Sequence, residues 1–387
     1  MSVYVEKTAK FPAFENKQQR VRHLDIELTE RCNNNCVHCY INQPVSKKSK
    51  EMSAAFIEDL ILQAVDLGCT SIRYTGGEPL LRPDFADLYT FTRRKGIRVM
   101  LFTNATLITD ELLDLFKRIP PLFPIEVTLY GMHKESYEAV SRKPNTFDSA
   151  WAGIQALLNH NIPFIVKQAC LPPNDKERQE FENWAENLPW MRHKPDYALN
   201  FDLRCRRDSE KRNEEIRQVR LSPERFVEIT ARDRKRYLNE MHQFMQKFAK
   251  PPGEKLFTCG AGRSSETIDS FGNLQVCLMV RHPHMVTSLY EYSLKDSIEL
   301  LVQRKDALYS SNPEYRERCA RCFLKSRCRQ CPGTAWCEYG IMDKPVEYYC
   351  ELTHAEARYL GLLQPGEKSW QITDWQKRIK QFIDTGS

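Results

Sequence analysis

Hydrophobic and polar residues alternate near the start of the chain, where Leu24, Ile26 and Leu28 show the period-two pattern of a half-buried β-strand. A stretch with helical periodicity follows, with Ser53 as the expected N-cap and Gly68 just past its end. The same alternation continues down the chain. The six expected strands lie at residues 24–28, 70–74, 98–102, 124–129, 163–168 and 197–203. The expected helices between them lie at residues 54–67, 83–95, 110–118, 146–158 and from about 175.

Six strand–helix units predict an α/β fold with a parallel sheet, because each helix returns the chain to the end where the next strand starts. We expect a partial (β/α)6 TIM-like barrel over residues 22–205. Functional residues in such folds lie at the carboxyl ends of the strands. Four motifs come directly after expected strands: a cysteine loop at 28–40, TGGEP at 75–79, Thr103-Asn104 and Tyr130-Gly131.

The rest of the chain divides by composition. Residues 1–21 form a polar lead-in, and residues 206–257 are a highly charged helical bridge that serves either as solvated connecting helices or as a docking surface for an acidic peptide. The Pro251-Pro252-Gly253 run marks a boundary. A small cysteine-rich domain is expected at 258–351, followed by a helical tail at 352–387.

The composition is that of a globular protein, with 41% hydrophobic residues and a net charge of +6 over 387 residues. This modest charge allows an acidic partner and does not call for nucleic acid. Neither a signal peptide nor a long apolar segment is visible, so we expect a cytoplasmic protein with no membrane partner. Cytosolic thiols stay reduced, so the fourteen cysteines indicate metal ligation where their spacings agree.

The first cysteine group lies in the sequence LTERCNNNCVHCY, where Cys32, Cys36 and Cys39 are separated by three and then two residues. Thiolates this close can hold one compact inorganic centre from a single loop. A 4Fe–4S cluster ordinarily takes four cysteines, and this loop offers three. One iron would then remain open to another ligand. The alternative is a zinc site completed by a distant residue.

The CNNNCVHC loop, the aromatic Tyr40 and the TGGEP motif after the next strand together resemble the radical S-adenosylmethionine (SAM) superfamily over about residues 22–205. The resemblance implies that SAM chelates the open iron through its amino and carboxylate groups. Reduction of the cluster then breaks a C–S bond of the sulfonium and releases a 5′-deoxyadenosyl radical, which takes hydrogen from an unactivated carbon.

The resemblance also implies residues that bind SAM. Gly76 and Gly77 would let the backbone approach the methionine moiety, while Glu78 and the carbonyls beside it, in a motif that ends at Pro79, would accept hydrogen bonds from its ammonium group. Tyr40 resembles the family's aromatic residue near the adenine. By position alone, the candidates for ribose or carboxylate contacts are Thr103, Asn104 and Lys167.

The later cysteines resemble a SPASM domain, an extension that holds two auxiliary 4Fe–4S clusters, which would bring the total to three. By this resemblance the second auxiliary cluster would be held by Cys319, Cys322, Cys328 and Cys350. The first would be held by Cys259, Cys277 and Cys331, with Cys337 as its tentative fourth ligand or with one iron left open to substrate. The spacing departs from the usual pattern, because Cys328 and Cys331 are separated by two residues where three are common. Zinc in place of both clusters, or a single cluster, is the alternative.

Two further groups of residues carry expectations. Cys69, Cys170 and Cys205 lie in or beside expected strands and are expected to fill the core. Sulfatase maturases with this domain have an Asp directly after the cysteine that matches Cys277, and here that residue is Leu278. The resemblance therefore argues against formylglycine formation, although Asp269 is a candidate for the catalytic base.

The expected function is that of a radical SAM/SPASM enzyme acting on a ribosomally made peptide or a protein side chain, by thioether or carbon–carbon crosslinking or by oxidation. Expected partners are an electron donor of the flavodoxin or ferredoxin type and, because few residues precede the cysteine loop, a separate leader-peptide-binding protein or direct docking of the peptide on residues 204–236. The enzymatic alternative is oxidation or rearrangement of a small molecule such as an amino sugar. The non-enzymatic alternative is an iron–sulfur electron carrier or a zinc-dependent RNA-binding protein.

Overall fold

The structure is a computed structural model that describes residues 21–47, 49–262 and 265–384, so the expected lead-in lies almost wholly outside the described residues. The chain forms two compact units. The first unit extends to Val219 and includes Gly260–Leu278 and Pro283–Val302; the second comprises Arg220–Cys259, Met279–His282 and the chain from Gln303 onward.

The first unit contains a nine-stranded sheet in the order β11-β10-β9-β1-β4-β5-β6-β7-β8. Its strands are β1 (His23–Thr29), β4 (Ser71–Gly76), β5 (Arg98–Thr103), β6 (Ile125–Thr128), β7 (Phe164–Ala169), β8 (Tyr197–Ala198), β9 (Ser265–Ile268), β10 (Asn273–Gln275) and β11 (Val286–Ser288). A separate two-stranded ladder joins β2 (Arg31–Cys32) to β3 (Gln43–Pro44). The expected α/β class with a parallel sheet is confirmed, since β1 and β4 to β8 pair in parallel.

The sixth strand is much shorter than the expected 197–203, because only Tyr197 and Ala198 pair with β7. β8 is the edge strand, and the chain leaves the sheet after Ala198. The ring of Phe201 then lies tilted against the ring of His38 with centroids 5.0 Å apart, and Arg204 contacts the cysteine loop. The apolar pattern of this stretch therefore reflects burial outside the sheet.

The structure also divides the chain differently from the expected boundary at residue 258. β9 pairs in parallel with β1, with Leu24 opposite Glu266, so it extends the sheet beyond its first strand. β10 and β11 continue this edge in antiparallel order. Backbone pairing thus brings β9, β10 and β11 into the sheet of the first unit, although they come after the expected boundary.

The described residues form the helices α1 (Ala54–Asp66), α2 (Phe85–Arg94), α3 (Asp110–Arg118), α4 (Lys134–Ser141), α5 (Thr146–Asn159), α6 (Arg178–Ala185), α7 (Glu210–Gln218), α8 (Pro223–Thr230), α9 (Arg234–Phe248), α10 (Leu294–Asp306), α11 (Pro313–Glu317), α12 (Pro332–Tyr339), α13 (Glu347–Tyr359) and α14 (Trp375–Asp384). The expected cap of α1 is present, because the Ser53 side chain accepts from the amide of Phe56. The short helix α4 was not expected. None of the described helices is long and apolar enough to span a membrane.

Residues of the expected bridge and tail share the core of the second unit. Tyr237, Met241 and Met245 of α9 belong to one buried cluster with Phe323 and residues of α13 and α14. α13 also continues through residue 352, where the expected tail begins. The segment after the last cysteine is therefore part of the packed unit.

The backbone of the TGGEP motif packs directly against the end of β1. Gly76 has a φ of +121°, and a Cβ there would lie 2.1 Å from the carbonyl oxygen of Thr29. A Cβ at Gly77 would lie 2.2 Å from the carbonyl oxygen of Arg31. The amide of Gly77 instead donates to the Thr29 carbonyl at 2.7 Å. Both glycines thus allow close packing of two backbone segments, and the expected approach to the methionine moiety stays a prediction.

We predict that Gly76→Ala lowers the free energy of unfolding by about 3 kcal/mol or more, because the new Cβ adds overlap with Thr29 to an unfavourable φ. Urea unfolding monitored by circular dichroism measures the change. Gly253→Ala is the control, since no atom lies within 4 Å of the added Cβ; it should change stability by no more than ~0.5 kcal/mol. Equal stability of the two variants would contradict the packing argument.

Candidate functional site

The first cysteine loop begins where β1 ends and is closely bonded to the protein. Cys32 and Cys36 are buried, and Cys39 is partly buried. The amides of Asn34 and Asn42 each point at a thiol, 3.4 Å from Cys32 Sγ and from Cys39 Sγ respectively. Amide donors in these positions stabilise a thiolate, which is the form that binds iron.

The three thiols of this loop are near enough to affect one another. Burial raises the pKa of Cys32 well above its ordinary value, and the neighbouring Cys36 and Cys39 raise it further. Burial and Cys39 raise the pKa of Cys36 to about 12. Thiolates that repel one another in a buried loop need a shared cation, so the donor set fits a cluster bound by three cysteines. Within the described ranges, no three His, Cys, Asp or Glu side chains are gathered closely enough to hold a single metal ion.

Glu78 connects the TGGEP motif to the loop after β5. Its carboxylate is buried and accepts from Thr103 Oγ1 and the amide of Asn104, both at 2.8 Å, and from the amide of Leu80 at 3.2 Å. Burial raises the pKa of Glu78 to about 7, although these hydrogen bonds oppose the shift. The oxygens of Glu78 thus accept hydrogen bonds from protein donors, and its expected contact with the ammonium group of SAM stays a prediction. Pro79 follows in a buried turn of 3₁₀ helix.

Asn104 continues this connection to the cysteine loop. Its Nδ2 donates to Asn33 Oδ1 at 2.9 Å and lies 3.9 Å from Cys32 Sγ. Asn33 Nδ2 in turn donates to Thr106 Oγ1 at 2.6 Å. The motifs after β1, β4 and β5 are therefore linked by hydrogen bonds at one edge of the sheet, as the parallel arrangement predicted.

Two arginines that sequence reasoning missed hold the cysteine loop from outside. Arg204 donates to the carbonyl of Cys39 and to Asn42 Oδ1 while it pairs with Asp208. Arg212 donates to the carbonyl of Cys36 at 2.7 Å. Their signal in the sequence is weak, because they lie in a segment rich in charges of both signs. Only their position just after the sixth expected strand could have indicated this role.

The remaining candidates around the first cluster occupy mixed positions. Tyr40 is partly buried next to the cysteine loop, and its carbonyl accepts from the amide of Cys205 at 3.1 Å. Lys167 forms an ion pair with Glu126 at 2.7 Å, leaving about a third of its side chain exposed. The expected core positions of Cys69, Cys170 and Cys205 are confirmed, since all three are buried.

Asp269, the candidate base, is fully buried in the turn between β9 and β10. One carboxylate oxygen accepts from the amides of Phe271 and Asn273, and the other pairs with Arg206 at 2.8 Å. Asn273 Nδ2 lies within hydrogen-bond distance of both oxygens. The side chain thus organises a turn and an ion pair, and its role as a base stays a prediction without support from these contacts.

In the second unit, four cysteines expected to share a cluster lie close together. Burial is the main cause of the raised pKa of each of these four thiols. The neighbouring Cys328, Cys322 and Cys350 raise the pKa of Cys319 further. Burial together with Cys328 raises the pKa of Cys322 to about 12 and that of Cys350 to about 11. All four line one small cavity together with Arg318, Thr353, His354 and Trp370. Cys322 Sγ lies 3.0 Å from Ser369 Oγ, and Cys350 Sγ lies 3.8 Å from Arg318 Nη2. Four partly buried thiols near hydrogen-bond donors fit the ligand set of a 4Fe–4S cluster.

The other four late cysteines, which are Cys259, Cys277, Cys331 and Cys337, differ from one another in burial and surroundings. Cys331 begins α12 and lines a second cavity of this unit with Cys319, Cys322 and Cys328. Cys337 is buried in α12, and Cys259 is exposed. Cys277 belongs to the first unit. Their assignment to one cluster, with Cys337 as the fourth ligand, stays a prediction.

Comparison with known proteins finds similarity over the part of the chain that contains the first cysteine loop. Residues 26–185 match the model of the Radical SAM superfamily. The chain is 30% identical over 167 residues to an AdoMet-dependent heme synthase of Methanosarcina barkeri. This alignment covers 43% of this chain and 48% of that protein. It is 22% identical over 322 residues to the antilisterial bacteriocin subtilosin biosynthesis protein AlbA of Bacillus subtilis, covering 81% of this chain and 66% of that protein. The chain thus spans about half the length of the first relative and about two thirds of the second.

A solved structure, native anSMEcpe with bound AdoMet and the Cp18Cys peptide, shares the fold. The likeness covers 94% of this chain and 99% of that protein, with a TM-score of 0.58 and 14% sequence identity. At this identity the comparison shows the fold alone, and it extends through the cysteine-rich region as well as the sheet.

We predict that Glu78→Gln reduces the pH dependence of stability. The raised pKa of Glu78 means that the folded state binds more protons than the unfolded state between pH 4.5 and about 7. Its contribution to stability is complete below pH 4.5 and is lost as the pH rises through about 7. The free energy of unfolding of the variant relative to the parent should therefore increase by about 3 kcal/mol between pH 4 and pH 8, measured by urea unfolding of the metal-free protein. A constant difference across this range would contradict the prediction.

Proposed function

We propose that this chain, which carries a radical SAM domain over residues 26–185, is a radical SAM/SPASM enzyme that modifies a peptide or a protein side chain. The observation that carries the proposal is the three-thiol loop linked to Glu78 and Asn104 at one edge of the parallel sheet. A structural zinc site usually has four protein ligands, whereas this loop has three thiols, and a zinc site has no need of the TGGEP motif that is hydrogen-bonded beside them.

The residues around the first centre have separate tasks. When bound, the 4Fe–4S cluster and SAM supply reductive C–S cleavage and hydrogen abstraction from a substrate carbon. Cys32, Cys36 and Cys39 would hold this cluster and would leave one iron open to SAM. The backbone amides of Asn34 and Asn42 stabilise the thiolates, and Glu78 fixes the turn at Thr103 and Asn104. The proposed contacts to SAM are those of the TGGEP backbone with the methionine moiety and of Tyr40 with the adenine. Thr103, Asn104 and Lys167 are the candidates for contacts with the ribose or the carboxylate.

The second unit supports the proposal of auxiliary clusters. Cys319, Cys322, Cys328 and Cys350 lie together in partly buried positions with donors nearby, which supports one 4Fe–4S cluster. A further cluster on Cys259, Cys277, Cys331 and Cys337 completes the proposed total of three. Such a cluster would supply a site that can accept an electron from the substrate or bind a substrate thiolate.

A peptide substrate is favoured by the extent of the similarities. The relative that aligns with 81% of the chain is named for bacteriocin biosynthesis, and a bacteriocin is a peptide or protein. The heme synthase aligns with 43%, which is no more than a radical SAM domain requires. That relative nevertheless keeps oxidation or rearrangement of a small molecule as the second candidate function.

The peptide would be recognised by a separate leader-binding protein. Direct docking on residues 204–236 has less support, because arginines of this segment already form ion pairs within the protein. Arg204 pairs with Asp208, and Arg206 pairs with both Glu30 and Asp269. The side chain of Arg212 bonds the cysteine loop. These charges stabilise the fold and are not free to bind an acidic peptide.

The decisive test is SAM cleavage by the anaerobically reconstituted, reduced protein. We predict that it forms 5′-deoxyadenosine, and that a peptide encoded by a neighbouring gene loses two hydrogen atoms per crosslink or oxidised residue, measured by mass spectrometry. Cys32→Ala should abolish both products, while Cys69→Ala, which removes a buried thiol outside the loop, should retain them. Cleavage without peptide modification, but stimulated by a small molecule, would favour the second candidate. No cleavage by the parent protein would contradict the proposal.

An external electron donor would reach the first cluster through a basic depression. A cavity of about 640 Å³ is lined by Cys32 together with Lys47, Lys143, Arg204, Arg212 and a single acidic side chain, Asp208. Lys47 and Lys143 are exposed at its rim. Flavodoxins and ferredoxins are commonly acidic, so their charge complements this surface, and the cavity extends to a ligand of the cluster.

We predict that Lys47→Glu combined with Lys143→Glu slows reduction of the first cluster by an acidic flavodoxin about tenfold or more at low salt. Reduction by dithionite should be unchanged, since a small reductant does not need the surface. The control is the pair Lys117→Glu and Lys176→Glu, which are exposed lysines that do not line the cavity. Stopped-flow absorbance measures both rates, and equal slowing by the two pairs would exclude docking at this surface.

A further inference from the structure

The chain beyond the last cysteine returns to the four-thiol site of the second unit. Ser369 begins a short 3₁₀ helix at Ser369–Gln371 and is completely buried. Its Oγ lies 3.0 Å from Cys322 Sγ. While Cys322 is a protonated thiol, either its sulfur or the Ser369 hydroxyl can donate the hydrogen bond. Once Cys322 is a thiolate bound to iron, its sulfur can only accept, so the hydroxyl of Ser369 must donate.

A second hydroxyl near the site behaves differently. Thr353 Oγ1 lies 3.4 Å from Cys328 Sγ, but it also donates to the carbonyl of Tyr349 at 2.8 Å. A hydroxyl has one hydrogen, and the shorter contact to the carbonyl takes it. Ser369 is therefore better placed than Thr353 to donate to a cluster ligand.

The backbone of Ser369 also orients a histidine beside the site. The amide of Ser369 donates to His354 Nε2 at 3.2 Å, so the proton of the neutral imidazole is on Nδ1. Nδ1 lies 2.8 Å from the carbonyl of Cys350 and 3.5 Å from Cys350 Sγ. Ser369 thus contacts Cys322 through its hydroxyl and, through its backbone amide, positions the ring of His354 next to Cys350.

Trp370 covers the same cavity. It lines the space shared by the four thiols, and the guanidinium of Arg318 lies 4.8 Å above its ring. The ring of His354 meets it edge to face, with centroids 5.5 Å apart. A large apolar ring at this position limits the access of water to the sulfur atoms.

We propose that the segment Lys368–Gln371 completes the second auxiliary cluster site, with Ser369 donating a hydrogen bond to the Cys322 thiolate that raises the reduction potential of the cluster and Trp370 shielding it from water. The inference rests on the proposed function, because it requires the cluster on Cys319, Cys322, Cys328 and Cys350. One-electron reduction adds negative charge to the cluster and its thiolates. A hydrogen bond to a thiolate therefore stabilises the reduced form more than the oxidised form.

The test is an EPR-monitored redox titration of the reconstituted protein in which Cys32, Cys36 and Cys39 are replaced by Ala. The signal of the second auxiliary cluster is the one that Cys328→Ala removes. Ser369→Ala should shift its midpoint to lower potential, so that the ratio of reduced to oxidised cluster at a fixed potential falls about threefold to tenfold. Ser369→Thr retains a hydroxyl and should keep the midpoint near that of the parent.

A buried serine in the same unit provides the matched control. Ser310 contacts Asp343 and Asn312 through its hydroxyl and touches no thiol of this site. Ser310→Ala should leave the midpoint unchanged. An equal shift in Ser369→Ala and Ser310→Ala, or no shift in Ser369→Ala, would overturn the role of the hydroxyl while leaving the cluster in place. Absence of any signal that depends on Cys328 would instead contradict the proposed second cluster itself.

Trp370 supplies a test with the opposite sign. Trp370→Ala admits water, which stabilises the more highly charged reduced cluster, so its midpoint should rise where that of Ser369→Ala falls. The same variant should lose iron to a chelator faster than the parent, whereas Trp370→Phe should resemble the parent in both measurements. A fall in midpoint in Trp370→Ala, or iron loss at the parent rate, would overturn the shielding role.

Discussion

The buried carboxylate of Glu78 is the contact on which the arrangement of the first centre depends. It binds Thr103 and the amide of Asn104, and Asn104 reaches Cys32. One side chain therefore couples the loops that follow three parallel strands. Burying a carboxylate is unfavourable, and the raised pKa of Glu78 reflects that cost. The hydrogen bonds offset part of it and fix the position of a turn that an apolar residue would leave free.

The two glycines before Glu78 make this coupling possible. Their backbone lies against the carbonyls of Thr29 and Arg31, at distances that no side chain would permit. The TGGEP motif thus forms the contact between the end of β4 and the start of the cysteine loop. The arginines Arg204 and Arg212 then hold that loop from the other side by bonding its carbonyls. Rigid support of this kind is what a loop of three thiolates needs, because their mutual repulsion would otherwise separate them.

The fold and most of the thiol groupings could be predicted from the sequence, since they depend on local periodicity and spacing. The strand pattern at Leu24, Ile26 and Leu28 and the cap at Ser53 both reappear in the structure. The pairing of β9 with β1 could not be predicted, because it joins residues more than two hundred positions apart and is specified by hydrogen bonds between backbones. The role of Ser369 could not be predicted either, since a lone serine in a polar segment has no periodic or spacing signal.

The sequence by itself determined where the cysteines lie, how they are spaced, and that the first group comes directly after a strand. Those properties belong to residue types and to short spacings, which the chain carries before it folds. Only the tertiary structure decided which groups surround the thiols, that Asp269 organises a turn, and that the C-terminal segment contacts Cys322. These contacts depend on long-range packing, in which burial and hydrogen bonding choose partners that the order of residues does not reveal.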